Sequence, residues 1–194
     1  TEILPTELNQ TEVRLGDRAL RLLFSSGSQI NAQIPYDLSP DTEHQLVIRR
    51  AGALSVPEQF VVASAQPAIF SADQSGSGQA VITNSSNGQL ANASNPVKAG
   101  DTIVILCTGL GKVTPEIDAG SPTPLDREIR TVLKPVLTIG GVPANVTFSG
   151  LQPGVVGRYM VTAVVPDGVS AGDAVYVVLN MSKQSSKPVT IAVR

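Results

Sequence analysis

The sequence predicts an all-β fold of short strands. Three observations carry that prediction. Glycine and proline are frequent, 17 and 14 of 194 residues, and many lie between apolar runs, the punctuation of turns rather than of helices. Apolar and polar residues alternate with period two in several segments. Two stretches of the chain also align with each other without gaps.

Along the chain, Val13 to Ser25 gives the first strand-turn-strand pattern, turning at Gly16. Gln29 to Ala63 continues it, and Ser64 to Gln66 is the expected boundary. Between Gln66 and Pro135 two further strands are expected, near Gln79–Thr83 and Asp101–Cys107. Asn84 to Pro96 is rich in Asn, Ser and Gly and predicts a long surface loop. Leu125 to Arg130 is too short for a stable helix and predicts a loop or a single turn.

Gly140-Gly141 and Asp167-Gly168 mark tight turns, where positive φ is cheap for glycine. Ala144, Val146 and Phe148 alternate with polar residues, as do Val189, Ile191 and Val193 with their neighbours. Such strands bury one face. Ile103–Cys107 and Val175–Leu179 are apolar on both faces and predict central strands.

Val13–Ser25 aligns on Leu137–Ser149, and Gln29–Ala63 aligns on Met160–Arg194. Gly16 then shares a turn with Gly140, and Phe24 shares an expected core position with Phe148. An immunoglobulin-like sandwich needs about seven strands. The sequence therefore predicts two tandem immunoglobulin-like (fibronectin III/TIG-like) β-sandwich modules. Residues 66–194 supply a full set of strands, while residues 1–65 form a partial module short by one or two. The strand Asp101–Cys107 has no counterpart in the first copy, which predicts an open edge that a partner strand or an upstream segment covers.

The second half resembles a known family. The residues that carry the resemblance are Pro67-Ala68-Ile69-Phe70, Gly76-Ser77-Gly78-Gln79-Ala80, Asn95-Pro96 with Gly100-Asp101, and Thr108-Gly109-Leu110-Gly111 with Val113-Thr114-Pro115. Ile139-Gly140-Gly141-Val142-Pro143-Ala144, Phe148 to Gly154 with Val156-Gly157, and Val165-Pro166 leading to Gly172-Asp173 complete them. This pattern is similar to the Solibacter-type uncharacterised C-terminal domain of large secreted acidobacterial proteins. The first half, with Ser28-Gln29-Ile30-Asn31 and Pro35-Tyr36, resembles the module that commonly precedes that domain. Met160 and Thr162 stand where Gln and Asn are more usual. The resemblance implies an extracytoplasmic location and this architecture, and brings no activity with it.

The remaining chemistry is sparse. Charged residues make up 15% of the chain and the net charge is −2, so no basic field exists to hold nucleic acid. Trp is absent and aromatics are few, which supplies little for stacking. No stretch approaches the ~20 apolar residues of a membrane span. A start at Thr1 rather than Met reads as a processed or trimmed terminus.

Cys107 lies in an apolar strand and is expected in the core. His44, the sole histidine, has polar flanks and is expected at the surface. Asp73 to Gly78 predicts a turn rather than a calcium loop. Asp118 and Asp126 are the carboxylates available for a glycosidase pair, with nothing to hold them together. The glycines of Thr108 to Lys112 lack the lysine position and following helix of a phosphate loop and predict a strand-end turn or bulge. Ser149 to Gly157 suits either a recognition loop or a plain hairpin connection.

No catalytic, cofactor or metal residues are assigned, and the binding residues are unidentified. The expected function is a non-catalytic structural or interaction module of a secreted or cell-surface bacterial protein, spacing or presenting neighbouring domains. The alternative is a module that binds a polysaccharide or protein ligand. The expected partners are neighbouring domains of a larger chain, a second copy, or a glycan.

Overall fold

The computed structural model describes residues 2–194. The all-β expectation holds: no helix occurs among the described residues. A small sheet region is followed by a larger, nearly closed, seven-strand antiparallel barrel-like sheet.

In the small region, β1 (Glu7–Leu8), β2 (Thr11–Leu15), β3 (Arg18–Ala19), β6 (Thr42–Arg50), β7 (Ala53–Leu54) and β8 (Glu58–Val62) form one sheet. β4 (Arg21–Ser25) and β5 (Ile30–Gln33) form a separate ribbon. The path of the larger sheet is β10 (Ile82–Asn84), β11 (Thr102–Thr108), β16 (Tyr159–Val164), β15 (Val142–Leu151), β14 (Val136–Ile139), β17 (Gly172–Met181) and β18 (Gln184–Ser185). β9 (Ala68–Ile69), β12 (Val113–Thr114), β13 (Arg130–Thr131) and β19 (Val189–Val193) attach beside it.

The aligned stretches pair in one register. Leu22 faces Ala32 and Ser25 faces Ile30 across β4–β5, as Val146 faces Ala163 and Ser149 faces Val161 across β15–β16. Val13 faces Ile48 as Leu137 faces Leu179, and His44 faces Phe60 as Val175 faces Ile191. Gly16 and Gly140 both turn with φ of 59°. Sequence spacing thus becomes sheet register, because a one-residue slip would turn every buried side chain outward.

The shared register also corrects the expected core position of the two phenylalanines. A β-bulge follows Leu22 in the first half and Val146 in the second. The extra residue shifts the alternation, so Leu22 and Ser25 are buried while Leu23 and Phe24 both face outward. Phe148 is half-buried instead, with the Arg130 guanidinium 4.9 Å from its ring centroid. The expected long surface loop Asn84–Pro96 is also only partly exposed. Ala91 within it is fully buried, and its carbonyl accepts from Ala192 N–H at 3.1 Å.

The two halves differ in how well their cores close. Val161, Ala163, Val177, Leu179, Ile191 and Val193 are buried, and their counterparts Ile30, Ala32, Leu46, Ile48, Phe60 and Val62 are only half-buried. In the second half β11 lies along the outer edge of β16, and Gly78, Ala91 and Val97 hydrogen-bond the outer edge of β19. In the first half β5 pairs only with β4, and β8 only with β6. Full burial of a valine, leucine, isoleucine or phenylalanine side chain contributes about 1.5–3 kcal/mol, so the first half forgoes part of that at each of these positions but Ala32.

Candidate functional site: a cleft between the halves

The half-open side of the small sheet region faces the larger sheet across a cleft of about 890 Å³. β5 and the following turn supply Ile34, Pro35 and Tyr36 to one wall. β8 and the segment after it supply Phe60 to Gln66. The opposite wall is Thr108–Lys112, Val132-Leu133 and Val155–Tyr159. Several large apolar side chains are exposed here, among them Val61 at 58%, Val132 at 57%, Leu133 at 50% and Leu23 at 48%. An apolar concavity of this kind marks a binding site far more often than a plain surface.

Glycines set the geometry of the joint at its base. Gly109 and Gly111 both have φ of +76°. A Cβ on Gly109 would lie 1.9 Å from the Gln66 carbonyl oxygen, and one on Gly111 would lie 2.2 Å from that of Ser64. Only glycine lets the strand-end turn approach the segment joining the halves so closely. Gln66 N–H closes the contact on the Gly109 carbonyl at 2.8 Å. The glycines of Thr108–Lys112 therefore serve backbone packing, in agreement with a strand-end turn.

Gln33 is the polar tie across the cleft floor. Its Oε1 accepts from Gly120 N–H at 2.7 Å, and its amide packs against Gly157. Its Nε2 is buried without a partner. Beside it, Tyr36 and Tyr159 meet edge to face, with centroids 6.3 Å apart. Tyr159 Oη donates to the Gly111 carbonyl. Burial pushes the Tyr36 phenol up to about 12, and burial raises the Tyr159 phenol as well. The N-terminal segment completes the fastening: Leu4 N–H donates to the Gly120 carbonyl at 2.9 Å, and Leu22 N–H donates to the Pro5 carbonyl at 2.8 Å.

The reactive candidates of the sequence do not converge on this cleft. Cys107 is fully buried in β11, and desolvation raises its thiol well above the ordinary range. His44 corrects the surface expectation. It is half-buried on the inward face of β6, at the position of Val175, and its Nε2 is covered and unpartnered. Period two from Leu46 and Ile48 was the available signal, and the polar flanks masked it.

Asp73 engages its own loop, with Oδ1 accepting from Ser71 Oγ at 2.8 Å and Ser75 N–H at 3.0 Å. Asp118 lines a separate small recess with Lys112 and Arg127, and Asp126 does not line it. Of the loop Ser149–Gly157, Val155 to Gly157 do line the cleft. No family model matches the chain, and no curated protein or solved structure matches it either.

Proposed function

We propose that this chain is a non-catalytic interaction module of an extracytoplasmic protein, built from two immunoglobulin-like sandwich units that hold an apolar ligand between them. The observation that carries this reading is the cleft of about 890 Å³ walled by exposed Leu23, Val61, Val132 and Leu133. The unit assignment, 1–65 and 66–194, is supported by ladders that stay within residues 7–62 or within 68–193. The extracytoplasmic setting draws on the resemblance of Gln66–Arg194 to a domain of secreted proteins.

A solvatochromic naphthalene sulfonate dye tests the reading. One equivalent should bind the native protein, and Val61→Lys or Leu133→Lys should abolish the signal while leaving the far-ultraviolet spectrum unchanged. A glycan array should stay silent. No dye binding, or binding indifferent to both substitutions, overturns the cleft reading.

A further inference from the structure

We infer that the outer edge of β5 takes up an extended strand from another protein, antiparallel and in the register that β11 holds on β16. This rests on the cleft reading above and names the ligand class. In the second half, Ile103 faces Ala163 and Ile105 faces Val161 across that edge, and Val165 N–H donates to the Asp101 carbonyl at 2.9 Å. The matching residues of the first half are Ala32, Ile30 and Ile34, two of them β-strand residues with no second ladder. Because Leu22 N–H is turned away from β5 to Pro5, the Leu22–Ala32 pair is not hydrogen-bonded. The Ala32 backbone groups therefore face the open side. That side is the cleft, which Ala32 and Ile34 line. A bare strand edge above an apolar trough is the setting for β-augmentation.

The chemistry of the occupant follows from its template. β11 buries Ile103, Ile105 and Cys107 on one face, so the incoming strand carries apolar residues at alternate positions. The cleft lining holds Lys112 and Arg158 and no acidic residue. Gln33 packs on Gly157, which puts Arg158 at the C-terminal end of β5, where an antiparallel partner begins. An acidic residue at the N-terminal end of the partner strand complements it. A second copy is a poor donor: its open-edged apolar strands β5 and β8 line its own cleft, and the stretch Pro115–Glu128, which forms no strand, holds Pro115, Pro122 and Pro124.

The probe is a labelled synthetic peptide with the sequence Gly100–Thr108 and Ser in place of Cys107, titrated into the full chain. In β11, Leu106 N–H points away from β16 to the Val81 carbonyl, so Ile103 and Ile105 turn their amides toward β16. N-methylation at those two positions should weaken binding about tenfold or more, and at Val104 and Leu106 by less than about threefold. Ile34→Lys in the protein and Asp101→Lys in the peptide should each weaken it as well. Equal effects of the two methylation patterns overturn strand pairing. Dye binding without peptide binding overturns the strand and leaves the cleft reading standing, whereas loss of both removes the two together. A concentration-dependent dimer that protects the Ala32 and Ile34 amides gives the edge to a second copy and overturns a foreign partner.

Discussion

Ser55 and Ser186 make the same hydrogen bond in the two halves. Each hydroxyl accepts from a strand N–H, of Ile48 and of Leu179, at 3.0 Å. Each serine N–H returns a bond to that same residue's carbonyl at 2.8 Å. The environments differ, since Ser186 is buried and Ser55 is exposed. Ser186→Ala leaves the Leu179 N–H unsatisfied in the core and should cost about 1–3 kcal/mol, while Ser55→Ala should cost under about 1 kcal/mol because water replaces the hydroxyl. Urea unfolding of the two variants measures the difference.

The joint at the base of the cleft should be intolerant of a single methyl. Gly109→Ala and Gly111→Ala both force backbone apart and place alanine at positive φ. Each should cost at least about 3 kcal/mol. Gly141→Ala shares the positive φ of 81° but meets nothing within 4 Å, so it should cost only about 1 kcal/mol. Thermal unfolding of the three variants separates close packing from conformational strain.

Cys107 should be inert in the native protein. Its side chain is fully buried and desolvation opposes the thiolate. A disulfide reagent in excess should label it only at the rate of unfolding, and rapid stoichiometric labelling without denaturant would contradict its place in β11.

Glu12 ties the small sheet region to acid stability. Arg49 Nη2 lies 2.6 Å from one carboxylate oxygen and Arg14 Nη1 lies 2.9 Å from the other. The Arg49 hydrogen bond, then that of Arg14, holds the carboxyl below its ordinary value. Ionisation is therefore easier in the folded state, so the pairing stabilises above about pH 4.3 and is lost as the pH falls through the lowered value. The pairing is near the surface, so Glu12→Gln should remove no more than about 1 kcal/mol at pH 7 and flatten the acid limb. Stability curves between pH 2 and pH 7 test both the size and the direction.

Much of this fold was legible in the sequence because the gapless alignment is a register statement. Matching Gln45 to Tyr176 and Gln59 to Thr190 makes Gln45–Gln59 and Tyr176–Thr190 equivalent pairs, and the sheets contain both. The strand β13 was missed, since Arg130-Thr131 is short and has no alternation of its own. Its Thr131 hydroxyl bonds Ser149 Oγ at 2.8 Å, while the equivalent Ser25 Oγ is buried without a partner. The cleft was illegible for a different reason. Leu23 faces out only because of a bulge, and Val61 and Val132 look like ordinary strand apolars until their neighbours are known.

The two bonds that meet at Gly120 have a kinetic consequence. Swinging the halves apart must first break the bond from Leu4 N–H to the Gly120 carbonyl, at 2.9 Å, and that from Gly120 N–H to Gln33 Oε1, at 2.7 Å. The mouth of the cleft is then preset, and a visitor has no closing motion to wait for. Its arrival rate should follow diffusion and orientation, while its lifetime should depend on how many edge amides it satisfies. Affinity differences among ligands of this protein should accordingly appear in dissociation rates, with association nearly uniform.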